Sequence, residues 1–287
     1  MSKGKTDDVT GTDTTGHSWD GIEELNTPLP RWWLWTLYLC IIWGILYTIA
    51  YPAWPMVSGA TKGLLGWSTR ANVAAEITAH EGKNADLVTQ LLATDMDVLP
   101  ASADLNRYAV ARGGAVFRAN CSQCHGSGAA GAKGYPNLLD DDWLWGGDMA
   151  EIEYTVRHGI RNEQDDDARY SQMPAFGEML EKDEITAVVE HVVSLSNAEF
   201  DANLAETGAT VFADNCSVCH GDTGLGDRTQ GAPNLADAIW LYGGDRKTLT
   251  ETVKNARFGV MPAWGPRLTE ADVRAVSAYV HSLGGGE

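Results

Sequence analysis

The sequence predicts an all-α protein with one transmembrane helix, a helical connector and two tandem copies of a small helical domain. An uncharged apolar run near the N-terminus predicts the transmembrane helix. A block of motifs that occurs twice, each time ending in a helix-periodic segment, predicts the two copies. We place the segments at residues 1–30 (tail), 31–55 (anchor helix), 56–104 (connector), 105–200 (first copy) and 201–287 (second copy).

The N-terminal tail is polar and acidic and has no helical period, which predicts a mostly flexible segment. Two stretches inside it, residues 17–22 and 25–30, are rich in Trp, Pro and Leu. Their composition is more specific than a flexible tail requires. We therefore expect this flank to contact a partner.

The apolar run covers residues 32–54 and contains no Asp, Glu, Lys, Arg or His. A helix of about 20 residues crosses the hydrocarbon core of a bilayer. Trp32 and Trp35 at one end, and Tyr51 and Trp54 at the other, match the aromatic belts of a spanning segment. A cleaved signal peptide is the alternative, but the run is too long and follows an acidic tail. The run therefore predicts a membrane anchor.

The connector contains apolar residues at helix-compatible intervals between positions 68 and 94. This spacing predicts one or two amphipathic helices, interrupted near Gly82 and closed by Pro100. We expect these helices to set the following copies against the membrane or a partner.

The two copies share their motifs in the same order. The paired motifs are Val116-Phe117 and Val211-Phe212, Pro136-Asn137-Leu138 and Pro233-Asn234-Leu235, and Met173-Pro174 and Met261-Pro262. Each copy ends in a predicted helix, over 183–194 and 270–282. Thr269 is the expected N-cap of the second of these helices, with Asp272 at position N3. The order and spacing indicate a tandem duplication.

Each copy also carries a Cys-x-x-Cys-His motif, which is the attachment signature of c-type haem. The motifs are Cys121-Ser122-Gln123-Cys124-His125 and Cys216-Ser217-Val218-Cys219-His220. A zinc knuckle or a redox dithiol is the alternative for a single Cys-x-x-Cys. Because both copies carry the adjacent histidine at the head of a repeated block, we predict two covalently bound haem c groups. Cys121, Cys124, Cys216 and Cys219 then bind the porphyrins, and His125 and His220 ligate the two irons.

A haem that transfers electrons without binding substrate needs a sixth iron ligand. In the second copy, Met261 is the only methionine after the haem motif, and His281 is the other possible donor. In the first copy, Met173 competes with four further donors, and it alone has a counterpart in the other copy. Those further donors are Met149, Met179, His158 and His191. We predict Met173 for the first haem and Met261 for the second, each stiffened by the following proline.

The motif order resembles the class I cytochrome c fold, with Cys-x-x-Cys-His, Pro-Asn-Leu and Met-Pro between two terminal helices. The resemblance implies that the carbonyls of Pro136 and Pro233 accept a hydrogen bond from the two iron-binding histidines. It also implies that Phe117 and Phe212 lie where the terminal helices of each domain cross. The predicted fold is therefore two tandem class I cytochrome c domains behind an anchor helix.

The tail, the single anchor, the connector and the two haem copies together resemble the dihaem subunit of cbb3-type cytochrome oxidase, the CcoP/FixP family. The resemblance implies a non-catalytic subunit that passes electrons from a cytochrome c or the bc1 complex to a haem–copper catalytic subunit, beside a monohaem cytochrome c subunit. Oxygen is then reduced in another subunit. Some members have two spanning helices, whereas this chain has one.

Haem c is assembled outside the bacterial cytoplasmic membrane, which predicts a cytoplasmic N-terminus and periplasmic haem domains in the inner membrane. The net charge of −18 argues against nucleic acid as a partner. The charge either steers a basic redox partner or serves solubility, and the acidic insertion at 161–172 contributes to it. A free-standing carrier for a dehydrogenase and a dihaem peroxidase are the alternatives. A peroxidase needs an accessible iron position, whereas both copies offer Met-Pro.

Overall fold

The structure is a computed structural model that describes residues 5–196 and 199–286. Within those ranges the chain forms ten α-helices and four short strands. The chain divides into two compact units, Met1–Lys83 and Asn84–Glu287. Both predicted copies lie in the second unit.

The tail contains a β-hairpin, so the prediction of a mostly flexible segment is wrong for this part of the chain. Strand β1 (Thr14–Trp19) pairs antiparallel with β2 (Ile22–Leu25). Asp20 and Gly21 join the strands with φ angles of 51° and 86°. Asp-Gly is favoured in a two-residue hairpin turn because both positions need a positive φ.

Helix α1 (Arg31–Ala50) is long and apolar enough to cross a membrane, and none of its described residues is buried. It is shorter than the predicted anchor of 31–55. Tyr51 is extended, with φ −115° and ψ 162°, because the residue before a proline disfavours helical backbone. Strands β3 (Pro55–Met56) and β4 (Gly59–Ala60) then form a second small hairpin.

Helix α2 (Thr69–Ala93) runs without a break through Gly82, so the predicted interruption is wrong. One glycine costs a helix only about 1 kcal/mol relative to alanine, which the rest of the helix can offset. A 3₁₀ turn (Met96–Ala101) follows and leads into α3 (Ala103–Asn120).

The remaining helices belong to the two copies. The first copy contains α4 (Ser122–His125), α5 (Met149–His158) and α6 (Lys182–Leu195), and the second contains α7 (Ala202–Asn215), α8 (Ser217–His220), α9 (Arg246–Asn255) and α10 (Glu270–His281). Helices α6 and α10 confirm the two predicted C-terminal helices. The predicted cap is also present, since the Thr269 side chain accepts a hydrogen bond from the Asp272 amide at 3.2 Å.

The terminal helices cross between the copies rather than within them. Helix α3 of the first copy packs against α10 of the second, and α7 of the second copy packs against α6 of the first. The expectation that Phe117 and Phe212 each mark a crossing inside one copy is therefore wrong. Phe117 instead contacts Tyr279, with ring centroids 5.4 Å apart, and Phe212 contacts His191 at 5.1 Å.

Two helical bundles result, and each is built from both copies. We call α3, α5 and α10 the first bundle, and α6, α7 and α9 the second bundle. The end of the connector also belongs to this unit. Its buried residues Leu91, Met96 and Leu99 share a core cluster with α3 and α10. Arg274 of α10 donates a hydrogen bond to the carbonyl of Leu92 at 2.6 Å. This bond gives a partner to one of the carbonyls that the last turn of α2 leaves unpaired within the helix.

Candidate haem sites

Each Cys-x-x-Cys-His motif is one helical turn that continues the helix before it. The Cys121 amide donates to the Phe117 carbonyl at 2.9 Å, and the His125 amide donates to the Cys121 carbonyl at 3.0 Å. The turn ends at Gly126, whose φ of 78° disfavours a side chain. The second motif repeats these bonds at 2.8 and 2.9 Å. Both motifs therefore present two thiols and an imidazole from one short, rigid segment.

A proline carbonyl holds each histidine, as the resemblance implies. His125 Nδ1 lies 3.1 Å from the Pro136 oxygen, and His220 Nδ1 lies 3.0 Å from the Pro233 oxygen. Because a carbonyl only accepts, Nδ1 carries the proton and Nε2 keeps its lone pair for a metal. Burial lowers the pKa of both imidazoles, against the weaker opposing effect of these hydrogen bonds. Both rings are therefore neutral, as an iron ligand must be.

The first cysteine of each motif is half-buried. Burial, reinforced by the neighbouring thiol, raises the pKa of Cys121 and Cys216 to about 11. A thiol with so high a pKa stays protonated near neutral pH.

Met261 lies on the first bundle, although it belongs to the second copy. Its amide and carbonyl pair with Ile160, at 3.0 and 2.9 Å. The next residues dock on the end of α5, where the Gly265 amide donates to the Arg157 carbonyl at 2.9 Å. Met261 and Cys121 both pack against one core cluster, which includes Phe117. The loop therefore places its thioether in the bundle that holds the first haem motif.

Met173 is half-buried, and the segment that follows it runs onto the second bundle. The 3₁₀ turn Phe176–Glu178 packs against α9, where Gly177 meets Lys254. Leu180 and Cys216 both pack against one core cluster, which includes Phe212. The docking matches that of the Met261 loop on α5, so residues 176–180 of the first copy pack on the bundle that holds the second haem motif. The axial roles of Met173 and Met261 stay predictions.

The competing donors have other surroundings. Met149 is buried in the core beside the connector, whereas Met179 is 64% exposed. His158 Nδ1 lies 3.2 Å from both carboxylate oxygens of Asp165, and the ring of His191 packs on Phe212. His281 is the last residue of α10.

The acidic insertion 161–172 braces the Met261 loop, a role that sequence analysis missed. The Arg161 amide donates to the Arg169 carbonyl at 2.7 Å, and the Arg169 amide donates to the Gly159 carbonyl at 3.1 Å. The Arg161 side chain also donates to the Gly259 carbonyl at 2.6 Å. The insertion thus holds both sides of the backbone pair formed by Ile160 and Met261.

Comparisons with known proteins match this chain over nearly its whole length. The family described as "N-terminal domain of cytochrome oxidase-cbb3, FixP" matches residues 11–58, and "Cytochrome C oxidase, cbb3-type, subunit III" matches 109–192 and 203–280. The cbb3-type oxidase subunit CcoP of Cereibacter sphaeroides is 62% identical over 276 residues, covering 96% of this chain and 95% of the relative. The chain belongs to the CcoP/FixP family. The FixP subunit of Sinorhizobium medicae is 50% identical over 281 residues, covering 98% and 97% of the two chains.

As a CcoP/FixP protein, the chain is an electron-transfer subunit of a cbb3-type cytochrome c oxidase, with two cytochrome c domains and a membrane anchor. These matches confirm the predicted fold class and family. Cytochrome c domains imply haem c, and the two matched segments imply two haems. The donors described above fit that group, because each bundle offers paired thiols and a neutral imidazole whose Nε2 keeps its lone pair, and Met261 adds a thioether to the first bundle.

Proposed function

We propose that this CcoP/FixP chain carries one haem c at Cys121, Cys124 and His125 and another at Cys216, Cys219 and His220. The observation that carries the proposal is the Nδ1 hydrogen bond of each histidine beside two cysteines, of which the first is half-buried in each motif. Bound haem supplies a reversible one-electron couple. The chain holds each group by two covalent links and orients its proximal ligand.

We further propose that the axial methionines are exchanged, so that Met261 serves the His125 site and Met173 serves the His220 site. Two observations support this pairing: Met261 packs in the cluster of Cys121, and the segment after Met173 packs in the cluster of Cys216. A haem held by a histidine and a methionine would have no open iron position for a substrate, as a subunit that only transfers electrons requires. This arrangement disfavours the peroxidase alternative.

In the membrane, we propose that α1 spans the bilayer with its N-terminus in the cytoplasm and the unit Asn84–Glu287 in the periplasm. Attachment of haem c outside the cytoplasmic membrane supports this orientation. The tail hairpin and the anchor then dock the subunit to the haem–copper catalytic subunit and the monohaem cytochrome c subunit. The electron donor is a cytochrome c or the bc1 complex.

The experiment is to purify the full chain mildly from its membrane and measure haem per chain by the pyridine haemochrome assay. We expect two haems, together with a haem–copper subunit and oxidase activity. Cys121→Ser with Cys124→Ser should leave one haem, and Cys216→Ser with Cys219→Ser should leave the other. Cys40→Ser, outside both motifs, is the matched control and should leave two. Recovery of the chain without a haem–copper subunit would favour the free-standing carrier.

A further inference from the structure

Each haem-motif histidine is held by a short loop that closes on it twice. We call residues 131–136 and 226–233 the histidine loops. In the first loop, the Gly131 amide donates to the His125 backbone carbonyl at 2.9 Å, and the Pro136 carbonyl accepts from the His125 ring at 3.1 Å. The second loop repeats both bonds around the second histidine, at 2.9 and 3.0 Å. The position of each proline carbonyl therefore depends on what fixes its loop.

The first histidine loop is held by residues of the second copy. Its Gly134 amide donates to the Leu241 carbonyl at 2.9 Å. An added methyl at Gly134 would lie 3.3 Å from Tyr242 Cε1, so the tyrosine ring is in close contact with the loop. The Arg257 guanidinium stacks on this ring at 4.7 Å and donates to the Thr248 carbonyl at 2.7 Å. Helix α9 therefore fixes Tyr242 against the loop through this arginine.

The second histidine loop is held by the first copy in a matching way. Gly231 occupies the position that corresponds to Gly134, and Trp145 occupies the position that corresponds to Tyr242. An added methyl at Gly231 would overlap the Trp145 ring. The Arg169 guanidinium stacks on that ring at 5.2 Å. Each loop is thus packed by an aromatic residue of the other copy, close in the chain to the proline that holds the histidine.

The proline carbonyl controls how strongly the imidazole donates electrons to a bound iron. A hydrogen bond from Nδ1–H to an acceptor raises the basicity of the ring, and a more basic ligand favours the more highly charged, oxidised iron. A loop that shifts away from the ring weakens this bond and favours the reduced iron. Contacts that hold the loop therefore act on the midpoint potential of the haem through the histidine.

We propose that Tyr242 of the second copy is a positioning residue for His125, and that Trp145 of the first copy is a positioning residue for His220. The inference rests on the proposed haem sites. Each aromatic ring keeps the proline carbonyl of the opposite loop within hydrogen-bond distance of the imidazole. It thereby lowers the midpoint potential of the haem attached to the other copy. Electron transfer through the chain thus depends on potentials that each copy sets for the other.

The test is a redox titration of the full haem-loaded chain in detergent, with Tyr242→Leu, Tyr242→Phe and Trp145→Leu. A chain with Cys121→Ser and Cys124→Ser keeps only the second haem and identifies its midpoint potential. Tyr242→Leu should shift the redox equilibrium of the first haem about tenfold toward the reduced form, which is 59 mV for one electron, and leave the second haem unchanged. Tyr242→Phe keeps the ring edge that faces Gly134 and should keep the wild-type potential. A shift in the phenylalanine variant as large as in the leucine variant would overturn the packing role of the ring.

Trp145→Leu should give the crossed result. We expect it to raise the midpoint potential of the second haem and to leave the first unchanged, although Trp145 belongs to the first copy. Phe200→Leu, at an exposed aromatic position outside both loops, is the matched control and should change neither potential. A change at the haem of the substituted residue's own copy would overturn the proposal, and so would a fall in potential or no change.

A spectroscopic measurement separates positioning from a general loss of stability. In the oxidised chain, the exchange of each histidine Nδ1–H proton with water, followed by NMR, reports the bond to the proline carbonyl. Tyr242→Leu should speed this exchange at His125 only, and Trp145→Leu should speed it at His220 only. Shifted potentials with unchanged exchange would assign the shift to another cause and overturn the proposal.

Haem content is measured on every variant, which separates the two levels of inference. A wild-type chain with fewer than two haems refutes the proposed haem sites. Two haems with unshifted potentials refute the positioning roles alone. If Tyr242→Leu does not load two haems, Trp145→Leu, measured at the second haem, decides the outcome.

Discussion

Phe117 and Tyr279 belong to different copies, yet their rings pack with centroids 5.4 Å apart at the crossing of α3 and α10. Nearby, Arg112 of α3 donates to Asp272 of α10 at 2.8 Å. The matching contact in the other bundle joins Phe212 to His191. Each haem motif thus follows a helix whose partner comes from the other copy.

The helix crossings depend on two glycines. A methyl at Gly113 would overlap the backbone of Ala275, and a methyl at Gly208 would overlap that of Ala187. We expect Gly113→Ala and Gly208→Ala each to lower the free energy of unfolding by about 1–3 kcal/mol, because the crossing is overpacked. The measurement is urea unfolding of the haem-loaded chain. Gly82→Ala is the control, since among the described residues nothing lies within 4 Å of a methyl there, and it should be neutral or stabilising.

The proposed exchange of the axial methionines predicts which haem responds to which substitution. A chain with Cys121→Ser and Cys124→Ser keeps only the second haem. In that background Met173→His should abolish the near-infrared Met–iron band and lower the potential, because a thioether favours reduced iron more than imidazole does. Axial ligands change haem potentials over a range of about 0.8 V, so the shift is expected to be large. Met261→His should leave the remaining haem unchanged, and the opposite result would restore pairing within each copy.

The buried residues at the end of the connector predict which N-terminal truncation of the chain still loads both haems. A chain that begins at Asn84 should load both haems but fail to join the oxidase, whereas a chain that begins at Leu105 lacks the core residues Leu91, Met96 and Leu99 and should be less stable.

Leu99→Ala in the full chain should lower the free energy of unfolding by about 2–5 kcal/mol, because it leaves a cavity in this core. Thermal unfolding measures this loss. Val98→Ala, at a position that is 56% exposed, is the neighbouring control and should have little effect.

Asp142 predicts a pH-dependent stability. Burial, reinforced by Asp237 and Asp140, raises the pKa of Asp142 from 3.8 to about 6. The contribution of Asp142 to stability is therefore fully present below its unfolded pKa of 3.8 and is lost as the pH rises through the folded value of about 6, because the ionised form is disfavoured in the folded chain. Asp142→Asn should stabilise the chain at pH 7 by about 1 kcal/mol, less than the 1.36 kcal/mol per pKa unit would give, since solvent screens a half-exposed group.

The pH dependence separates this effect from a general loss of charge. Denaturant midpoints at pH 4 and pH 7 should differ less in Asp142→Asn than in the wild type. Asp166→Asn, at an exposed position of the insertion, should leave the difference as it is. Equal stabilisation by Asp142→Asn at both pH values would show that ionisation of this carboxyl is not the cause.

The acidic surface predicts a salt-dependent encounter with the donor. The net charge is −18, and exposed attraction is screened within about 8 Å at physiological ionic strength. Oxidation of a positively charged cytochrome c should therefore slow as salt rises, under conditions where encounter limits the rate. Stopped-flow kinetics at several ionic strengths measure this. A rate that does not depend on salt would leave solubility as the role of the charge.

The sequence predicted local features of the fold well. The Cys-x-x-Cys-His turns, the Thr269 cap and the two C-terminal helices depend on residues that are close together in the chain. The tail hairpin was missed although Asp20-Gly21 signals it, and the early end of α1 is explained by Pro52. Sequence patterns also gave no sign of the brace formed by Arg161, because its partner Gly259 lies in the other copy.

The exchange between copies could not be predicted, because duplication makes the two pairings equivalent. Gly113 and Gly208 lie at matching positions before the haem motifs, and Ala275 and Ala187 lie at matching positions after the methionines. Either glycine therefore fits either alanine, and no local pattern separates the two arrangements. Whether the helices pack within a copy or between copies depends on the paths of the segments that connect them. The structure shows these paths, whereas the sequence does not.

The exchange also sets the order in which the protein can be completed. The contact between Arg112 and Asp272 spans 160 residues, so the first bundle has a high contact order and cannot form until α10 has been synthesised. All helices of the second bundle emerge earlier. A chain that stopped before Glu270 would lack the partner of α3 while keeping α6, α7 and α9. A C-terminal deletion is therefore expected to destroy the haem site nearest the N-terminus and to spare the other.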